Sequence, residues 1–227
     1  MSGGRWPAIG IPRSGGGSSA PIFVAQYATP FNTDTSPKAA MNAVAINSGD
    51  VLVALAATER GTAITLTENG AATATLQRSS TTADYAAVSG WTYVAPANET
   101  ITVSFSISVA DWFGGNVVRF SGSSGVGASN VAIGASGSPS VSLTTTQANS
   151  AIVVICSDWN AVSGTQTFTN NFGGTPTALT DYPGDTSKYG VALAYFPDAG
   201  AIGSKTVGMS APAGQKWSII AIEVKGS

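Results

Sequence analysis

The sequence contains an internal repeat at an offset of about 100 residues. Gly49–Gly122 is echoed by Asn149–Gly226, and the clearest matches are GDVLVALAAT with NSAIVVICSD and GGNVVRFSG with SIIAIEVKG. A repeated unit that cannot bury its own apolar face usually packs against its twin. The repeat therefore predicts a structural scaffold in which two related halves cover one another.

Short apolar or alternating runs bounded by Asn, Ser, Gly and Asp fill the chain from Ile22 onward, and such runs are typical of β-strands. Asn69-Gly70 is a strong turn signal, because this dipeptide tolerates positive φ. No stretch sustains the i, i+3, i+4, i+7 apolar stripe of a helix over three turns. We expect an all-β fold, with one short helical turn as the sole exception, at Asp34–Met41.

The segments VLVAL and AIVVI are apolar at every position and so require cover on both faces. If each half supplies about five strands, two halves closing on one another make one aligned sandwich of about ten strands. We therefore expect a single antiparallel, jelly-roll-like β-sandwich over residues 22–227, with halves at 22–122 and 140–227. Two separate domains are the alternative, because Ser121–Ser140 has the composition of a flexible linker.

Composition excludes several classes of function. Only 10% of the 227 residues are charged and the net charge is −2, against about 25% charged in an average globular protein. The ten basic residues are scattered, so the chain lacks the basic face that nucleic-acid binding needs. No apolar run approaches the roughly 20 residues of a membrane span, so we expect no membrane insertion.

The chain has no histidine and a single cysteine. Without histidine, a Ser-His-Asp triad, a Cys-His pair and the usual zinc sites cannot be built in their ordinary form. Cys156 lies in the apolar run AIVVIC, where a free thiol behaves as a small hydrophobic group. We therefore expect a buried, inert Cys156, no cofactor and no enzymatic activity.

Residues 1–21 form an N-terminal arm rich in Gly, Ser and Pro. Such a composition is typical of a disordered terminus. The alternative is a strap, because Trp6, Ile9 and Ile11 are apolar anchors held in stiff, Pro-containing segments. A strap of this kind would order against a neighbouring subunit.

The order of motifs points to a family. Ser-Gly-Asp precedes an apolar strand, followed by a variable loop, the aromatic-led Gly90-Trp91-Thr92-Tyr93, a Thr-Val-Ser-Phe-Ser strand and a closing strand ending in Phe-Ser-Gly. Written twice over Ile22–Gly226, this order resembles the β-sandwich minor tail proteins of bacteriophages that infect actinobacteria. Those proteins carry a Pro-Pro-Ala-Gly-Trp turn in each half, of which Val88-Ser89-Gly90-Trp91 is a partial echo.

The resemblance implies a structural protein of the virion, in the tail tip or a fibre, that contacts the host surface. Capsid decoration is an alternative location. The implied partners are other virion proteins and further copies of the chain, with a trimer favoured by the phage setting. A carbohydrate-binding module that recognises host cell-wall glycan is the alternative function.

Two loops carry an aromatic residue beside a carboxylate, a combination that suits sugar binding because the ring stacks on a pyranose and the acid accepts from hydroxyls. They hold Trp159 with Asp158, and Tyr182 with Asp181. Trp112 also follows an acid, but we pair it with Trp217 in the second half. We therefore assign both of those tryptophans to the ends of the fold and expect specific contacts at Trp159 and Tyr182.

The one close pair of carboxylates, Asp181 and Asp185, admits three interpretations. Paired acids can hydrolyse glycosides, carboxylates can hold calcium, and Asp is common in turns. A role in turns requires no ligand or substrate, so we favour it and expect no catalytic residue and no resident metal. A weak calcium site at Asp181 and Asp185 is the alternative.

Overall fold

The computed structural model describes six stretches of the chain, separated by short gaps: residues 17–34, 36–80, 86–159, 167–182, 189–211 and 216–227. These stretches form seventeen β-strands and no helix. The strands are β1 (Ile22–Ala28), β2 (Asn32–Asp34), β3 (Lys38–Ile46), β4 (Val51–Thr58), β5 (Ile64–Glu68), β6 (Thr75–Ser80), β7 (Ala87–Val94), β8 (Glu99–Ile107), β9 (Asp111–Ser121), β10 (Val126–Gly134), β11 (Ser140–Thr144), β12 (Ala151–Trp159), β13 (Thr167–Asn170), β14 (Thr177–Tyr182), β15 (Tyr189–Phe196), β16 (Ser204–Ala211) and β17 (Trp217–Val224).

The strands form four antiparallel sheets. Sheet A has the order β1-β9-β4-β7-β6, with β2 also paired to β9, and sheet B has the order β3-β8-β5. Sheet C has the order β10-β17-β12-β15-β14, and sheet D has the order β11-β16-β13. The all-β, antiparallel sandwich expected from the sequence is confirmed.

The sheets stack in the order B, A, C, D around three apolar cores. The central core joins sheets A and C, whereas the two outer cores lie between B and A and between C and D. Every residue of β4 and of β17 is buried, because sheets A and C are covered on both faces. This double cover is the condition that the runs VLVAL and AIVVI predicted.

The two halves share one topology. Strands β1, β9, β4, β7 and β6 of sheet A match β10, β17, β12, β15 and β14 of sheet C, and β3, β8 and β5 match β11, β16 and β13. Each half is thus a small sandwich with its own outer core, and the two pack through their larger sheets. The estimate of five strands per half was too low, since each half supplies eight strands with a counterpart in the other.

Two strands of the second half were not predicted. Strand β10 lies inside the segment Ser121–Ser140, whose Gly and Ser content is typical of a linker, yet β10 pairs with β17 over most of its length. Its glycines are required by packing: a Cβ at Gly127 would clash with the Glu223 carboxylate, and one at Gly134 with the Trp217 ring. Strand β14 was not predicted either.

The helical turn expected at Asp34–Met41 is wrong. Strands β2 and β3 occupy most of this stretch, which is held by two buried side chains. Met41 is fully buried in the core between sheets A and B. The Lys38 ammonium donates to the Phe113 carbonyl at 2.6 Å and lies 3.9 Å from the centre of the Phe113 ring. These contacts fix an extended chain.

Bulges interrupt most of the sheet edges. Register shifts occur in the edge strands β1 and β6 of sheet A, β10 and β14 of sheet C and β3 of sheet B, whereas the shift in the pair β13-β16 lies in the central strand β16. The central pairs β4-β7, β4-β9, β12-β15 and β12-β17 have none. A bulge bends an edge and disturbs its hydrogen-bonding row, so it hinders pairing with another chain.

Hydroxyl groups take the place of charge on the outer sheets. Thr65 is exposed opposite Ser106 in sheet B, and Ser142 pairs with Thr206 in sheet D, their side-chain oxygens 2.7 Å apart. Ser and Thr hydroxyls both donate and accept hydrogen bonds and therefore remain well hydrated. This pattern explains how the outer sheets remain hydrated although the chain has so few charged residues.

A buried charge lies at equivalent positions of the two halves, with opposite sign. Arg119 faces Leu52 in the pairing of β9 with β4, and Glu223 faces Ile152 in that of β17 with β12. Arg119 forms an ion pair with Asp50, with Nη2 and Oδ2 2.5 Å apart. Glu223 is fully buried and accepts hydrogen bonds from five donors: Ala128 N, Thr146 N, Thr146 Oγ1, Gln147 N and Ser150 Oγ.

We expect Glu223→Gln to lower the free energy of unfolding by about 2–4 kcal/mol, because an amide NH₂ would face donors that need an acceptor. Urea denaturation measures the effect. Asp198→Asn is the matched control, since Asp198 is exposed and Asn keeps the oxygen that accepts from Gly200 N. Equal stability of the Glu223→Gln variant and the wild-type protein would contradict the structural role of the carboxylate.

Tyr93 and two carboxylates hold the turn between β5 and β6. The Tyr93 hydroxyl donates to Glu99 Oε1 at 2.5 Å and accepts from Ala72 N at 3.2 Å. Glu68 accepts from Gly70 N at 2.6 Å. Burial, followed by the hydrogen bond to Glu99, raises the pKa of Tyr93 above its ordinary value of 10.0.

A raised pKa means that the folded protein holds the Tyr93 proton more tightly than the unfolded chain does. The resulting stabilisation is present below the ordinary pKa of 10.0 and is lost as the pH rises through the folded-state pKa. We expect the stability advantage of wild type over Tyr93→Phe, about 1 kcal/mol at pH 8, to shrink over the alkaline range above about pH 10, where tyrosine in the unfolded chain ionises. Urea denaturation of both proteins across this range tests it, and a constant difference would contradict it.

Candidate functional site

Strand β4 of the first half and the equivalent strand β12 of the second half run in the same direction, so the molecule has two distinct ends. We call the end where β4 and β12 begin the proximal end, and the end where they finish the distal end. Ser80, at the distal end of β6, lies 2.9 Å from Ser218, at the distal end of β17, measured between Oγ atoms. At the proximal side, the Phe23 and Tyr195 rings stack with centres 5.0 Å apart.

The described part of the N-terminal arm is fixed at the proximal end. Ser227 N donates to Ser19 O at 2.9 Å, and Ser19 N donates to Ser227 O at 3.3 Å. Ser18 Oγ donates to the carbonyl of Ala148 at 2.9 Å. The predicted anchors Trp6, Ile9 and Ile11 lie outside the described residues.

The predicted ligand residues Trp159 and Tyr182 come together at the distal end. The backbone of Trp159 pairs with Tyr189, and that of Tyr182 pairs with Val191. Both partners lie on β15, so the two residues stand two strands apart, about 10 Å. The structure describes their backbones only. Their grouping makes a shared contact surface feasible, and their role in binding stays a prediction.

The acidic residues next to Trp159 and Tyr182 are placed differently in the structure. Asp158 is 2% exposed and accepts a hydrogen bond from Gly190 N at 3.2 Å. This burial counts against a direct contact with a ligand. Asp181 pairs through its backbone with Ala192, whereas Asp185 lies outside the described residues. Among the residues that the structure describes, no group of three or more His, Cys, Asp or Glu could hold a metal ion.

Cys156 is buried, as the sequence predicted. It is 2% exposed and lies in the core between sheets C and D. Burial, assisted by the charge of Asp158, raises the pKa of the thiol well above its ordinary value. Since the thiolate is the reactive form, the environment keeps this cysteine inert.

We expect native protein at pH 8 to react with Ellman's reagent at least about a hundredfold more slowly than protein unfolded in guanidinium chloride, because the folded thiol is both inaccessible and protonated. Absorbance at the thionitrobenzoate band follows the reaction. The unfolded sample is the control and should release one equivalent per chain. Comparable rates in the two samples would contradict the placement of Cys156.

A cleft at the distal end of the first half was not predicted as a site. Its volume is about 250 Å³, and its lining consists of Thr33, Glu59, Arg60, Ala110, Asp111 and Trp112. Strand β2 brings Thr33 opposite Trp112, and the turn after β4 closes the other side, where Glu59 N donates to the Trp112 carbonyl at 2.9 Å. The cleft therefore combines an indole ring, a guanidinium and two carboxylates.

Asp111 organises the walls of this cleft. Its Oδ2 accepts from Arg60 N at 3.1 Å and from Thr62 Oγ1 at 3.0 Å, and its Oδ1 accepts from Trp112 N at 2.8 Å. The carboxylate is 3% exposed. These bonds fix the backbone on either side of the Trp112 ring, so the cleft is held in shape.

The pairing of Trp112 with Trp217 is wrong by one residue. In the first half Thr58 faces Phe113, and in the second half Asp158 faces Trp217. Trp217 thus corresponds to Phe113, and both are buried in the outer cores. Trp112 is only partly buried and corresponds to Lys216, so its ring is not explained by the symmetry of the fold.

A second groove, of about 330 Å³, lies between β10 and β11. Asn130 Nδ2 bridges the two strands by donating to the Ser142 carbonyl at 2.7 Å. The lining is Ala128, Ser129, Asn130, Ser142, Leu143, Thr144 and Ser204. It offers hydroxyl and amide groups but neither an aromatic ring nor a charge.

No protein-family model matches this chain, and neither curated protein sequences nor solved structures gave a match. The described residues contain no helix long and apolar enough to span a membrane.

Proposed function

We propose that this chain is a structural protein of a bacteriophage virion, a minor tail protein placed in the tail tip or in a fibre. The observation that carries the proposal is the polarity of the molecule. The described part of the N-terminal arm is bound at the proximal end, whereas the Trp112 cleft and the strand ends at Trp159 and Tyr182 lie at the distal end. Such an arrangement suits a protein that is anchored at one end and makes contacts at the other.

The placement of the charged side chains supports a structural role for the protein. Asp50 and Arg119 pair with each other, Glu223 binds five donors, and Lys38 is bound to main-chain carbonyls. These buried charged groups stabilise turns and strand ends. The motif order that resembles phage minor tail proteins supports the same conclusion, and capsid decoration remains the alternative location.

Immunoelectron microscopy of phage particles whose genome encodes the chain tests the proposal. We expect gold-labelled antibodies against the chain to bind the tail, because a minor tail protein is retained in the assembled particle. Labelling of the head would support the capsid-decoration alternative instead. Particles that carry no label, and from which mass spectrometry recovers no peptide of the chain, would refute a virion role.

A matched pair of variants tests the arm. A variant with Trp6→Ser, Ile9→Ser and Ile11→Ser is expected to keep the thermal unfolding temperature of the wild type but to fail to enter particles, because apolar anchors drive association. Arg13→Ser in the same arm is the control. Sedimentation velocity reports whether the arm also makes the homotrimer that the phage setting favours.

A carbohydrate-binding module is the second candidate function. The presence of aromatic residues at the distal end favours it, and the two functions are compatible, since a tail protein can bind the surface of its host. Cell-wall binding that survives the combined change Trp159→Ala and Tyr182→Ala would remove those two residues from the binding site.

A further inference from the structure

We propose that the Trp112 cleft binds a single neutral pyranose unit of a glycan. The inference deepens the proposed function by naming the chemistry of the distal contact, and it rests on that function only for its biological setting. It concerns residues in the first half of the chain, away from Trp159 and Tyr182.

The ring of Trp112 is a prepared platform for a sugar. It packs partly against the central core and also lines the cleft. The backbone of Trp112 is held by the pairing of β2 with β9 and by the bonds to Asp111 and Glu59. A ring that is already fixed loses little conformational entropy when a ligand binds, which favours affinity. Pyranoses present an apolar face of C–H groups that stacks on such a ring.

The polar groups suit the hydroxyls at the edge of a sugar. Arg60 and Thr33 are exposed beside the ring and can donate hydrogen bonds. The Asp111 and Glu59 carboxylates are only 3% and 4% exposed, so they hold the wall and set its charge, and the direct contacts fall to Arg60 and Thr33. Arg60 donates, and the Thr33 hydroxyl both donates and accepts, which suits the hydroxyl groups of a polyol.

Size and charge narrow the ligand further. Pockets for drug-sized ligands measure about 300–1,000 Å³, so a cleft of about 250 Å³ is suited to one sugar ring. Two carboxylates and one guanidinium sum to a formal charge of −1 in the lining. Anionic sugars would meet like charge there, and neutral sugars would not. The groove between β10 and β11 is larger but has no ring on which a pyranose could stack.

Isothermal titration of the full-length protein tests the proposal with four disaccharides: maltose, cellobiose, lactose and N,N′-diacetylchitobiose. We expect at least one to bind with a dissociation constant on the order of 1 mM, as suits a single small cleft. Arg60→Gln and Trp112→Leu should each weaken binding about tenfold, since each removes one contact of moderate strength. Lys225→Gln, at the proximal end, should leave the affinity unchanged.

Several results would overturn the proposal: no binding of any of the four sugars at about 10 mM, equal binding by wild type and Arg60→Gln, or tighter binding of galacturonate than of galactose. Loss of binding only in the combined Trp159→Ala and Tyr182→Ala variant would do the same. The Arg60→Gln variant keeps the test valid if Trp112→Leu fails to fold, because the Arg60 side chain is exposed. Tail labelling without sugar binding would refute the cleft alone, and sugar binding by a chain absent from virions would refute the phage role alone.

Discussion

The packing of sheet A against sheet C is the contact on which the rest of the molecule depends. The inner faces of both sheets are mainly apolar, and their central core draws fully buried residues from both halves. The close approach requires Gly90, where a Cβ would lie 2.9 Å from side-chain atoms of Ile222 and Leu55. Since neither inner face could remain exposed to water, each half needs its twin. The outer sheets B and D then cover the surfaces that remain.

The features that the two halves share produce this packing, whereas the positions at which they differ carry the charged and aromatic side chains of the candidate sites. At one pair of equivalent positions the halves hold Arg119 and Glu223, each satisfied by partners of its own. At another, Trp112 in the first half stands where the second half has Lys216. The fold tolerates such changes because they lie at strand ends, outside the shared core. Residues that break the symmetry are therefore the ones to which function is assigned.

The features of the fold that could be predicted from the sequence are those that depend on burial of apolar residues. The runs VLVAL and AIVVI predicted strands covered on both faces, and the run around Cys156 predicted a buried thiol, because a continuous apolar strand is typical of a sheet that is buried on both faces. Strand β10 was missed because Gly127 and Gly134 make room for larger neighbours, so its composition is typical of a linker. The cleft was missed for a different reason: Trp112 was matched to Trp217 as an aromatic pair, although the alignment of GGNVVRFSG with SIIAIEVKG places Phe113 there. Strand pairing gives the same register, and a slip of one residue moves a side chain to the other face of the sheet.

The sheet edges limit how copies of the chain can assemble. Five described strands at the sheet edges carry a bulge, namely β1, β3, β6, β10 and β14, whereas β2, β5, β11 and β13 carry none. Strand β11 is bridged to β10 by Asn130. Side-by-side pairing of strands from different copies is disfavoured at the bulged edges. Association through the proximal end, where the described part of the arm is bound, remains compatible with these edges and leaves the distal cleft open to a ligand.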